Sequence, residues 1–156
     1  QGLQKWADAP QEAQTKQIKI HMQGGAMGNL SSAQFQGALT PLRELAREHS
    51  KLWAFNGSVG GYDHIIADLS LGEIATLDLW NDTSWAHSMH LHGHHFWVNS
   101  KEFGDETRLV MRDSYLMQPG EKAQLTFVAD NPGLWLFHCH MLEHHAAGMG
   151  GIIHIF

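Results

Sequence analysis

A single cysteine in 156 residues removes an intrachain disulfide from the means by which this chain can be held together. No apolar run approaches the ~20 residues that a membrane-spanning helix requires. Positive charge is scarce: 10 Lys and Arg stand against 16 Asp and Glu, a formal net charge of −6. No basic surface is therefore on offer to nucleic acid or to an anionic membrane. Internal repeats and low-complexity stretches are absent as well. Ahead of Gln1 there is neither an initiator methionine nor a secretory leader, so the chain reads as processed, excised or one piece of something longer.

What remains is one domain's worth of sequence with an ordinary 43% hydrophobic content, long enough to bury a real core. Residues 1–15, rich in Gln and Ala and weakly patterned, read as a linker or arm from a preceding segment, and 16–156 as the domain itself. Alternation at Ile18, Ile20 and Met22 predicts a strand over 16–23. Glycine, serine and asparagine punctuate 24–37, which reads as loop. LRELAREH behind Thr40-Pro41 predicts a short helix with proline at its first helical position. Beyond Leu52 everything is strand and turn, with strands expected at 52–56, 64–69, 73–80, 94–99, 107–117, 121–129, 134–139 and 150–156. Turn signals separate them at Asn56-Gly57, Leu71-Gly72, Pro119-Gly120 and Asn131-Pro132-Gly133. Many short strands at regular spacing predict an all-β, Greek-key β-sandwich carrying a short helix in an N-terminal insertion.

Histidine is the residue in excess. Nine of the 13 histidines fall in two short clusters, His87–His95 and His138–His145, and the second cluster encloses the lone Cys139. Side chains on a strand alternate between its faces. If the strand at 134–139 runs on through HCH, His138 and His140 point one way and Cys139 the other. By the same rule His90 and His92 share a face, and His87 lies on the opposite one. One thiolate, two imidazoles and a weak axial thioether form a ligand set suited to copper. Cys139, His144 and Met149 supply three of these from one turn of chain, and His87 is the natural candidate for the fourth. On the other face His90, His92, His138 and His140 are able to converge as four imidazoles, enough for one or two metals. The backbone from the Cys139 sulfur to either flanking histidine offers a short route for electrons between the two faces.

Plainer readings exist for each. A structural zinc site pairs its ligands as C-x-x-C or H-x-x-x-H, which an alternate-face H-C-H does not match. Cys139 as a simple buried hydrophobe and Met149 as core packing are both physically reasonable, but neither explains the neighbouring imidazoles. His21, His49, His64 and His154 read as surface or satisfied core residues, and Met22 and Met27 as gap-filling side chains.

HSMHLHGHHF at 87–96 and HCHMLEHHAAGM at 138–149 resemble the C-terminal cupredoxin domain of multicopper oxidases, the family of laccases and ascorbate oxidase. NDTSWAHSMHLHGHHFWV and ADNPGLWLFHCHMLEH look most like its bacterial, periplasmic or copper-resistance members. The resemblance implies that His87, Cys139 and His144 bind type 1 copper with Met149 axial, that His90 binds type 2 copper, and that His92, His138 and His140 bind the type 3 pair. It implies one-electron oxidation of a small reducing substrate (a phenol, an aromatic amine or Cu(I)) coupled to reduction of dioxygen to water, in the periplasm or outside the cell. In that family the trinuclear cluster takes eight histidines, half from N-terminal cupredoxin domains. This chain has no further H-x-H pair, so the resemblance implies that those domains are a separate chain or a missing segment. One departure is His145, where several bacterial members carry a carboxylate; the proton relay is expected to use His145 itself or another acid. The alternative function is a stand-alone blue-copper electron carrier or copper-binding domain, which would have no use for His90, His92, His138 and His140.

Overall fold

The computed structural model describes residues 15–60, 63–100, 110–141, 144 and 146–156. Two sheets face each other. The first holds six strands: β1 (Lys16–Gly24), β4 (Trp53–Phe55), β6 (Ile74–Asp82), β8 (Phe96–Ser100), β9 (Val110–Arg112) and β11 (Lys122–Val128), in the order β4-β1-β6-β11-β8-β9. The second holds β5 (Ile65–Leu69), β7 (His87–Leu91), β10 (Ser114–Met117), β12 (Gly133–Cys139) and β13 (Gly150–Ile155), in the order β10-β7-β12-β13-β5. Neighbours are antiparallel except for β1 with β6 and β13 with β5. The chain passes repeatedly from one sheet to the other, and the result is the expected β-sandwich.

Strand alternation builds the core. β11 buries Ala123, Leu125 and Phe127 and turns the residues between them outward. Leu77, Leu79, Phe55 and Phe96 join them from the first sheet, and Met89, Leu91, Phe137, Ile153 and Ile155 from the second. Each fully buried Leu, Ile or Phe in such a core contributes about 1.5–3 kcal/mol. Cys139 and Met149 belong to this same cluster, so the thiolate side of the motif lies inside the sandwich.

Three expectations need correction. Residues 24–37 are not all loop: β2 (Ser32–Phe35) and β3 (Ala38–Pro41) form a hairpin about Gln36-Gly37. Both turn residues have positive φ, 49° and 80°, the geometry that matches strand twist in a two-residue connection. Gln36 is an unusual residue there, which is why composition alone suggests a longer loop. Helix α1 (Leu42–His49) begins one residue later than expected, with Pro41 as its extended N-cap and not its first helical residue. Its Leu45 packs with Leu30, Ala33 and Ala54 in a small satellite core. The strand expected over 107–117 is two strands from 110 onward, because the chain leaves the first sheet after Arg112 and enters the second at Ser114; 107–109 lie outside the described residues.

No helix among the described residues is long and apolar enough to cross a membrane. The arm expected at 1–15 lies, but for Thr15, outside them.

Candidate metal centre

Register decides what the two histidine clusters become. β7 and β12 pair antiparallel with His138 opposite His90 and Cys139 opposite Met89. β7 buries His87, Met89 and Leu91 and turns Ser88 and His90 away from the core. Cys139, opposite Met89, therefore enters the core on the same side as His87. Past the end of β12 the chain makes a short excursion and returns: the Met149 amide donates to the His144 carbonyl at 3.1 Å, and the Cys139 amide donates to the Met149 carbonyl at 3.2 Å. This closure brings His144 over Cys139 and leaves Met149 fully buried beside it.

The metal-binding atoms of His87, Cys139 and His144 all lie within 4.8 Å of one another. Cys139 Sγ is 3.6 Å from His144 Nδ1. The His87 and His144 rings meet edge-on at 4.6 Å between centroids. His87 Nδ1 is buried with no hydrogen-bond partner, while its Nε2 lies 2.9 Å from Thr83 Oγ1. A buried, unpaired imidazole nitrogen beside a thiol and a second imidazole is a donor set made for a soft or borderline metal. Burial, reinforced by the charge of His144, pushes the His87 pKa down to about 3. His87 is thus neutral and ready to ligate at any ordinary pH. Burial pushes the Cys139 thiol up, partly opposed by backbone N–H groups of Met141 and Ser88; metal binding would displace its proton.

Trp53 walls the site. Its ring lies 4.6 Å from that of His87 and 4.9 Å from that of His144. The same segment braces the ligand loop, since the Leu52 and Trp53 amides both donate to the Ala147 carbonyl and the Gly60 amide to that of Gly148. Gly148 has φ 109°, and a Cβ there would lie 2.6 Å from the Trp53 carbonyl oxygen, so only glycine fits.

On the opposite face four imidazoles gather. Ring centroids are 4.7 Å apart for His90 and His92, 5.0 Å for His92 and His138, and 5.3 Å for His90 and His140. His140 and His92 each lie one residue beyond their strands yet keep the alternation, held by the His140 amide on Ser88 O and the His92 amide on Leu136 O. Gly93, with φ 73°, turns the chain immediately after His92. The His90 ring donates Nδ1–H to the Asp113 carbonyl at 2.7 Å, and His138 donates Nδ1–H to the Cys139 carbonyl at 2.8 Å. Both rings therefore turn Nε2 toward the cluster, the usual way a second hydrogen bond orients a ligating imidazole. Unlike the thiolate side, this face is open: His92 and His140 are exposed.

Of the four histidines read as surface or satisfied core residues, three are placed as expected. His21 pairs with Asp82 at 2.9 Å, His154 pairs with Asp68 at 2.8 Å, and His49 is exposed. His64 departs from the satisfied reading, for its Nδ1 is buried without a partner. Met22 is fully buried and Met27 exposed. His145 and Glu143 lie outside the described residues. The sequence reading gave no role to Trp53 and Thr83, which touch the site, or to Asn81 behind Thr83; Asn81 and Thr83 lie in the stretch NDTSWAHSMHLHGHHFWV just ahead of His87, and for Trp53 the buried-aromatic pattern of WAF at 53–55 was the available hint.

A family model described as multicopper oxidase matches residues 34–154, and the chain belongs to that family. Among curated relatives, the multicopper oxidase MmcO of Mycobacterium tuberculosis is 35% identical over 97 residues, covering 62% of this chain and 18% of the relative. An L-ascorbate oxidase of Cucumis sativus is 37% identical over 98 residues, covering 52% of this chain and 17% of the relative. Among solved structures, a multicopper oxidase from Campylobacter jejuni superposes with a TM-score of 0.70 at 23% identity, over 95% of this chain and 31% of that one. That likeness shows a shared fold. The chain spans 15–18% of the length of the first curated relatives it matches. Copper is the cofactor of this family.

Proposed function

We propose that this chain is the substrate-oxidising domain of a multicopper oxidase. His87, Cys139, His144 and Met149 would hold type 1 copper; His90 would serve type 2 copper, and His92, His138 and His140 the type 3 pair. One observation carries the reading: Cys139 faces buried His87 and His144, while its covalent neighbours His138 and His140 face His90 and His92. Copper at these positions would supply one-electron exchange on the thiolate side and, with the remaining ligands, four-electron reduction of dioxygen to water on the imidazole side.

The chain's own residues set the conditions for that chemistry. Trp53 and the surrounding core keep water from the Cys139 side. His144, only partly buried, gives a small reducing donor its point of approach. Cys139 joins the two faces through its own backbone, and its carbonyl oxygen fixes the His138 ring. The open imidazole face suits completion by N-terminal cupredoxin domains of the same oxidase. The donor class we infer is a phenol, an aromatic amine or Cu(I), and the setting periplasmic or secreted.

Copper analysis with visible spectroscopy tests this. The chain alone should bind about one copper with a strong thiolate-to-Cu(II) absorption; with its N-terminal domains it should hold about four and consume oxygen with a phenolic donor. A copper-loaded chain without the thiolate band would sink the assignment of Cys139.

A further inference from the structure

Thr83 is four residues ahead of His87, in the connection between β6 and β7, and 7% exposed. Its hydroxyl has one proton to give and two lone pairs to receive with. Two oxygen acceptors are within reach of that proton: Asn81 Oδ1 at 2.6 Å and the Trp85 carbonyl at 3.1 Å. A third acceptor, His87 Nε2, is also in reach, but a proton given to it would leave the fully buried Asn81 Oδ1 without a donor; the hydroxyl therefore donates to Asn81 and away from His87. It receives the Trp85 amide at 3.2 Å, and the one polar atom of His87 near it, Nε2 at 2.9 Å, must be the donor. Asn81 cannot reverse this logic. It is fully buried, and its Nδ2 donates to two backbone carbonyls, Trp85 O at 2.8 Å and Gln118 O at 2.9 Å, which leaves Oδ1 facing Thr83. The network is closed at every atom and anchored on backbone.

We propose that Asn81 and Thr83 form a latch that holds the His87 ring proton on Nε2 and so reserves Nδ1 as a metal-directed lone pair. Nδ1 is the atom of His87 that is buried without a partner, beside Cys139 and His144. Neutral imidazole exists in two tautomers, and the one with a proton on Nδ1 blocks ligation at that atom. An outer hydrogen-bond partner of a ligating histidine selects the tautomer and ring orientation. Thr83 is a positioning residue on this account, since it acts through His87. The inference rests on the assignment of His87 to a copper site.

The test uses the full 156-residue chain in three forms: parent, Thr83→Val, which keeps the shape and removes the hydroxyl, and Thr83→Ser, which restores it. Nitrogen chemical shifts of the metal-free proteins report which ring atom of His87 carries the proton, and titration with Cu(II) and Co(II) reports affinity. The expected result is Nε2–H in the parent and in Thr83→Ser, a shift toward Nδ1–H in Thr83→Val, and metal binding weakened by about 10–100-fold in Thr83→Val only. Thr83→Ala, which also removes the hydroxyl, gives the same reading if Thr83→Val does not fold. Nε2–H retained in a folded Thr83→Val or Thr83→Ala that binds metal as tightly as the parent would overturn the latch and leave the copper assignment standing. A parent chain that shows Nε2–H but binds no metal at Cys139 would overturn the copper assignment, and the latch's purpose with it.

Discussion

The two faces of one strand end in opposite states. On the Cys139 side every donor comes from this chain, Cys139, His87 and Met149 are fully buried, and a tryptophan and a braced loop enclose them. On the His138 side four imidazoles converge, yet two are exposed and no wall closes over them among the described residues. A site owned by one domain is finished inside that domain's core, where burial neutralises His87 and packing sets ligand positions. The other face is left open, with His90 and His138 aimed by hydrogen bonds to backbone carbonyls, which suits the shared site proposed above. The same residues thus differ in what holds them, and the two faces should respond differently to the same insult.

The largest contrast should come from Cys139→Ser, which removes the thiolate while leaving the four outward imidazoles in place. Loss of the entire thiolate-to-Cu(II) band is expected, with weak metal binding at the imidazole face retained; absorption and metal titration read both. Trp53→Ala should follow, destabilising the chain by about 3–5 kcal/mol through the cavity it leaves. Denaturant unfolding checks the size, and near-unchanged stability would mean that Trp53 does not enclose the site.

Acid offers a third way to separate the faces. The folded His87 pKa, about 3, lies below its ordinary value of 6.5. The stability this group confers is present above pH 6.5 and is lost as pH falls toward 3. By pH 5 the metal-free chain should have lost about 2 kcal/mol from this group alone, and His87→Phe should flatten that part of the stability–pH curve. The smallest effect belongs to the open face. His140→Ala, at an exposed position, should change stability by no more than about 0.5 kcal/mol and leave the thiolate band intact. A large loss of either would show that the two faces are not independent.

Much of this was legible in the residues. Alternation through HCH and HSMHLH separates the thiolate from the outward imidazoles, and the structure places His87 with Cys139 and His90 with His138 accordingly. The turn at Asn56-Gly57 carries its own conformational signal and falls where expected, with φ of 49° and 78°. The Gln36-Gly37 hairpin does not, because its strands are four residues each, too short for alternation to register. The break at Asp113 is equally silent: both halves are strand by composition, and only the change of sheet divides them.

By itself, then, the amino-acid sequence determined which candidate donor side chains share a face, since residue types and a period of two are local properties that need no partner. The register of β7 against β12 and the Trp53 wall over His87 and His144 were decided only by the tertiary structure. Each of these depends on segments that are far apart in sequence, and non-local contacts leave no periodic trace in the chain that makes them.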